Sequence, residues 1–127
     1  MTHHTMAGHE SSDMSADMQA CIDMCQECHA TCLQTLTHCL TMGGDHAAPD
    51  HIGLMLDCVD ICRTSADFML RHSARHALTC GVCAEVCDAC AADCERFDDD
   101  FMRACAATCR RCAQSCRQMA QMGSHMA

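Results

Sequence analysis

The spacing C-x3-C-x2-C-x3-C occurs three times, at Cys21–Cys32, Cys83–Cys94 and Cys105–Cys116, and it constrains this chain more tightly than any other feature. Steps of four and three follow the pitch of an α-helix, so each run forms a stripe on one helical face. The first stripe comprises Cys21, Cys25, Cys28, Cys32 and Cys39. Two others comprise Cys80, Cys83, Cys87, Cys90 and Cys94, and Cys105, Cys109, Cys112 and Cys116. Between them lies a thinner version, Cys58 and Cys62, on the face that also carries His51, Met55, Ser65, Met69 and His72. Such stripes bury themselves against one another, and four of them predict one central column holding all sixteen sulfurs.

Local punctuation divides the stripes into four helices. Ser11, Ser12, Asp13 and Ser15 are good N-caps, so the first helix is expected at about 13–42, stopped by Gly43-Gly44. The segment GGDHAAPD, Gly43 to Asp50, reads as a loop, with Asp50 capping a second helix at about 50–71. A break near His72 to Arg75, marked by neither Gly nor Pro, precedes a third helix at about 75–97. The run Asp98-Asp99-Asp100 turns the chain and favours the N-terminus of a fourth at about 99–122. The expected fold is all-α: an antiparallel four-helix bundle with a cysteine-lined core over residues 11–123, after a mobile, His-containing tail at 1–10.

Composition agrees with a core of this kind. Leu, Ile, Val and Phe number only 16 of 127 residues, too few for an ordinary interior. Sixteen Cys and twelve Met supply the missing volume, one as a small hydrophobe and the other as an adaptable one. A net charge of -9, with no Lys, Tyr or Trp, argues against nucleic acid, because phosphates cannot be neutralised nor bases stacked. No stretch reaches the roughly 20 apolar residues needed to span a bilayer, so no membrane location is expected. Residues 1–19 have neither the basic start nor the apolar run of a secretory signal. A cytoplasmic location follows, where thiols stay reduced and a sixteen-cysteine pattern indicates metal rather than disulfides. No nucleophile-base arrangement or phosphate-binding loop appears, so no enzyme and no catalytic residue is expected.

The spacing also selects a metal. Side chains at i and i+4 lie roughly 5–6 Å apart at Cβ, so a C-x3-C pair can grip an ion between two sulfurs about 4.5 Å apart. Copper(I) is soft and accepts two or three thiolates, whereas zinc wants a closed tetrahedron. Sixteen buried thiolates would be prohibitively unfavourable alone, but sixteen monovalent ions would cancel them. About one copper(I) per Cys is expected, with bridging sulfurs and release of thiol protons on binding.

The residues CIDMCQECHATC (21–32), DCVDIC (57–62), CGVCAEVCDACAADC (80–94) and CAATCRRCAQSC (105–116) resemble the bacterial copper storage proteins, over nearly the whole chain. The resemblance implies a four-helix bundle filled with copper(I), ions mainly at the C-x3-C pairs, a homotetramer, and the cytosolic branch of the family. It also implies a mouth for copper, built from His and Met at the end formed by the first and third connections. Here that end offers His38, Met42, His46, His51, Met55 and Met102, while Phe97, Asp98 and Phe101 stand where cytosolic relatives carry His. The opposite end gathers Met14, Met18, Met69, His72, His76, Met119 and Met122, and helical geometry leaves the choice between the two ends open.

The same residues admit other readings. A zinc- or mixed-metal thiolate protein uses the same ligands, and a copper chaperone would need one exposed site rather than a column. An iron-sulfur electron carrier would place C-x2-C-x3-C in a loop, not on a helix. A disulfide-stapled secreted bundle fits neither the N-terminus nor the same-helix spacing. Cysteines as plain core filler would add oxidation risk that Ala or Val would not. Leu33, Leu36, Leu40 and Phe68 are expected on the surface, where they can form a subunit interface.

Overall fold

The computed structural model describes residues 8–126, with side chains over 16–122. Four helices run α1 Gly8–Met42, α2 Pro49–Leu70, α3 His76–Cys94 and α4 Asp100–Met126, with a short 3-10 turn at Gly44–Ala47. Among the described residues there is no strand, and no helix is long and apolar enough to cross a membrane. Each helix packs on its sequence neighbours, and α4 closes the square against α1. This is an antiparallel four-helix bundle, as the alternation of long helices and short connections predicts.

The helix ends differ from expectation in instructive ways. Helix α1 begins at Gly8 rather than near 13, so Ser11 to Ser15 lie inside it, and only residues 1–7 of the expected tail fall outside the described residues. Gly43 and Gly44 both take positive φ, 71° and 56°, which a side chain would strain even though nothing crowds a Cβ there. Asp50 does not cap α2. Ala48 occupies that place without a side-chain bond, Pro49 follows in the first turn, and Asp50 contributes its charge to the helix N-terminus.

The unmarked break between α2 and α3 is made by His72, left-handed at φ 55°. The backbone N–H of Ser73 reaches back to Phe68 O at 2.9 Å and that of His72 to Met69 O at 3.0 Å, which satisfies the last carbonyls of α2. His72 is therefore exposed and off the column face on which its spacing places it. Helix α3 ends at Cys94, three residues before expected, because Glu95 to Phe97 bend into a turn that buries Phe97. Asp99 caps α4: its Oδ1 accepts the Met102 N–H at 2.8 Å. Helix α4 runs past its expected end near 122 and continues to Met126.

The interior is sulfur. All sixteen cysteines are fully buried, with Met55, Met69, Met102 and Met119 beside them and Ala66, Ala84, Ala91, Ala106 and Ala113 filling the remaining space. Outside, Arg110 binds Asp88 and Glu95, and Arg117 binds Asp88 at 2.5 Å, which laces α4 to α3 with exposed pairs of small individual worth. Of the expected surface apolars, Leu33 and Leu40 are exposed. Leu36 is instead half-buried against the core, and Phe68 is half-buried beneath the Arg71 guanidinium at 4.8 Å.

Two substitutions test these ends by chemical denaturation of the reduced, chelator-treated protein. His72→Gly relieves the left-handed residue and should raise stability by about 0.5–1 kcal/mol. Asp99→Ala removes a cap and should cost about 1 kcal/mol, while Asp99→Asn retains most of it. Burial opposes ionisation of Asp99, but bonds from Met102 N–H, His46 and His38 outweigh it and hold the carboxyl at about 2. Because the folded value lies below the ordinary 3.8, its ionic contribution is complete above that pH and should vanish as pH falls through about 2.

Candidate metal centre

Successive stripes meet on the bundle axis as a chain of touching thiols. Cys32 lies 3.7 Å from Cys105 and 3.6 Å from Cys109; Cys109 lies 3.8 Å from Cys28 and 3.9 Å from Cys58. From Cys58 the chain steps to Cys87 at 3.7 Å, Cys62 at 3.6 Å and Cys112 at 3.9 Å. It continues through Cys25 at 3.9 Å and Cys116 at 3.4 Å to Cys21 at 3.7 Å. Cys83 touches Cys62 and Cys87, both at 3.8 Å. Cys80 closes a triad with Cys21 and Cys116 and accepts or donates at 3.4 Å to Ser65. Cys90 and Cys94 line the same column, where Cys109 and Cys105 respectively act most strongly on their ionisation.

Most of these contacts cross between helices, so the metal-free column joins all four stripes. Direct same-helix contacts occur at Cys28–Cys32, 4.0 Å, and Cys83–Cys87, 3.8 Å. A metal–sulfur bond of about 2.3 Å puts the three sulfurs of a trigonal site about 4.0 Å apart and those of a linear pair about 4.6 Å apart. Contacts of 3.4 to 4.0 Å, within quartets whose sulfurs all lie within 4.8 Å of one another, leave room for both two- and three-coordination. Three quartets each place four sulfurs within 4.8 Å: Cys25, Cys83, Cys112 and Cys116; Cys28, Cys32, Cys58 and Cys109; and Cys28, Cys62, Cys87 and Cys112. The third takes Cys28 from one quartet and Cys112 from another, so filling all three requires shared sulfurs.

The thiols of the column act on one another's ionisation. The Cys58 thiol is drawn well below its ordinary range because Cys109, then Cys28 and Cys32, donate S–H bonds to its thiolate. Cys87 is driven up because Cys112 and its other neighbours ionise first. Buried thiols in contact oppose one another's ionisation, and a positive ion is needed before all can ionise together.

At the end formed by the first and third connections, the chemistry changes. Cys39 has as its close partners His51 Nε2 at 3.3 Å, Met55 Sδ at 3.8 Å and Met102 Sδ at 3.6 Å, all fully buried or nearly so. Burial, then the negative charges around it, push the Cys39 thiol up to about 11. His51 Nδ1 lies 2.5 Å from Asp93 Oδ2. Burial opposes ionisation of Asp93, but bonds from His51 and Arg96 hold it below the usual carboxylate range. An ionised carboxylate only accepts, so the proton sits on Nδ1 and the Nε2 lone pair faces Cys39.

Of the residues expected at this mouth, the structure brings His51, Met55 and Met102 together. His38 sits at the rim, stacked on Phe101 at 4.3 Å, with His46 and Asp99; His46 Nε2 lies 2.8 Å from Asp99 Oδ2. Phe97 packs tilted against His46, ring centres 4.3 Å apart, and against His51 at 4.8 Å, so the third connection supplies walls rather than ligands. Met42 is 55% exposed and joins none of these groups. Asp93 and Asp99 carry no sequence signal for their roles here. Asp93 precedes Cys94 and Asp99 caps α4, but only the register between helices reveals which imidazoles each faces.

A square of helices around continuous soft donors defines a metal-thiolate four-helix bundle. The chain belongs to the copper storage protein family, whose model matches residues 14–121. A protein from Nitrosospira multiformis is 50% identical, with a TM-score of 0.81 over 84% of this chain and 97% of that one. The Cu(I)-bound copper storage protein Csp3 of Bacillus subtilis is 36% identical, with a TM-score of 0.78 over 82% of this chain and 98% of its own. A cytosolic copper storage protein from Streptomyces lividans, with five coppers, is 28% identical at a TM-score of 0.74, covering 84% and 94% of the two chains. No protein of curated function matches significantly.

The role of Asp93 is open to measurement. In Asp93→Ala, long-range proton–nitrogen spectra should show His51 lose its single Nδ1–H tautomer, and competition with a copper(I) chelator should show the tightest fraction at this end weakened on the order of 10- to 100-fold.

Proposed function

We propose that this protein stores copper(I), taking about one ion for each of its sixteen cysteines into the bundle interior. The observation that carries the proposal is the unbroken run of buried, unoxidised thiols from Cys32 to Cys21, with steps of 3.4 to 3.9 Å. Each thiolate bridges neighbouring ions, so charge cancels along the axis rather than accumulating. The residues assigned as ligands are the sixteen cysteines, joined at the Cys39 end by His51, Met55 and Met102. His38 and His46 stand at the rim of that end and meet ions before the buried donors do.

Zinc is the nearest rival, because the quartets also suit tetrahedral coordination. Four zinc ions on sixteen thiolates, however, leave half of the buried negative charge uncompensated. A chaperone would present one accessible site, whereas these thiols are all fully buried. Capacity, not handover of single ions, is what the column favours. Placement among cytosolic members accords with the cytosolic relative, and assembly as a homotetramer is part of the proposal, with Leu33 and Leu40 exposed on α1 for contact between copies.

Anaerobic titration of the reduced protein with copper(I) should saturate near sixteen ions per chain and release about one proton per ion. Apparent affinity should accordingly rise with pH, by about tenfold per unit for each ion that displaces one proton. Cys25→Ala and Cys109→Ala should each lower capacity by one or two ions while circular dichroism remains helical. Saturation at one or two ions, or at four zinc ions without preference for copper, would reject storage.

A further inference from the structure

The end of the column formed by the α2–α3 turn is closed largely by sulfur and imidazole. Four helices each place a residue one turn beyond the last thiol layer: Met18 beyond Cys21, Met69 beyond Ser65, His76 before Cys80 and Met119 beyond Cys116. The three methionines are 8%, 0% and 2% exposed. Immediately inward stands the triad Cys21, Cys80 and Cys116, with Cys21 and Cys116 3.7 Å apart.

His76 supplies the independent observation. Its Nδ1 lies 3.0 Å from the Ser73 carbonyl oxygen, which can only accept, so Nδ1 carries the proton and Nε2 is left with a lone pair. That Nε2 is buried and, among the described residues, is the one buried side-chain nitrogen or oxygen without a hydrogen-bond partner. Buried imidazole nitrogens are ordinarily satisfied, and one fixed as an acceptor with nothing to accept is suited to a cation. Two surface clefts reach the methionines of this end. Met119 lines a cleft of about 460 Å³ with Met122 and Asp17, and Met18 and Met69 line another of about 140 Å³ with His72.

We propose that this end is a second soft-metal site, in which His76 Nε2 and the Met69 and Met119 thioethers pass copper(I) to Cys21, Cys80 and Cys116, so that the column opens at both ends. The inference rests on the storage reading for the ion's identity. Its donor set repeats that of the Cys39 end, with one imidazole bonded through Nδ1 and two buried methionines on neighbouring helices. Neutral donors suit transit: they bind a monovalent ion without adding buried charge and release it to a thiolate that binds more strongly.

The test uses the reduced full chain carrying 13C-methyl methionine, titrated anaerobically with silver(I) and then copper(I) while bound ions are counted. Met69 and Met119 methyl signals and the His76 ring signals should shift. In a background of His51→Leu, Met55→Leu and Met102→Leu, uptake should persist, then slow at least fivefold on adding His76→Asn, Met69→Leu and Met119→Leu. Asparagine keeps an N–H for Ser73 and leucine conserves volume, and His76→Asn alone should show part of the slowing if the combined variant does not fold. Unmoved Met69, Met119 and His76 signals at a capacity near sixteen would overturn the second opening and leave storage standing. Saturation at one or two ions would overturn both.

Discussion

Sulfur packed against sulfur, with water excluded, governs this molecule. A thiol is a small apolar side chain while protonated and an expensive buried charge once ionised. The metal-free chain can therefore fold around its cysteines as it would around alanines and valines. The same contacts, at 3.4 to 4.0 Å, become a ligand field when a soft cation replaces the protons. The sulfurs are already gathered in groups within 4.8 Å of one another, close to the spacing that a shared soft ion needs. The helices act as rails that hold the sulfurs in register, and the surface pairs of Arg110 and Arg117 link α4 to α3 outside the column.

Carboxylates at the Cys39 end do two jobs. Asp99 caps α4 through Oδ1 and meets His46 and His38 through Oδ2, so one residue fixes both a helix start and the rim imidazoles. Asp93 fixes the tautomer of His51 and leaves its far nitrogen for Cys39. Helix ends and metal donors are thereby coupled: the turn that shortens α3 also carries Phe97 between His46 and His51.

What is legible in the sequence depends on whether the signal is local. Cysteine periodicity within a helix is local, and by itself it determines the four stripes, their inward direction and the central column. The α2–α3 break is harder to read, because His72 takes a left-handed conformation usually marked by glycine. Asp50 has the chemistry of a cap for α2 but not the position, because Pro49 has already begun the helix. Relations across helices are not legible at all. Spacing indicates that Cys25 and Cys116 face the axis, but not that they lie closest of the thiol pairs, nor that Asp93 stands behind His51. Those depend on axial stagger, which the turns and packing decide together.

Shared membership of Cys28 and Cys112 in neighbouring quartets carries a consequence for damage. Independent compartments would each be lost outright if one wall were oxidised. Common walls make the interior a network: a pair of sulfurs lost to a disulfide redraws the boundaries locally, while adjacent thiols still find partners on either side. Such a container wears out gradually, and ions already inside have neighbouring positions to move to without returning to water.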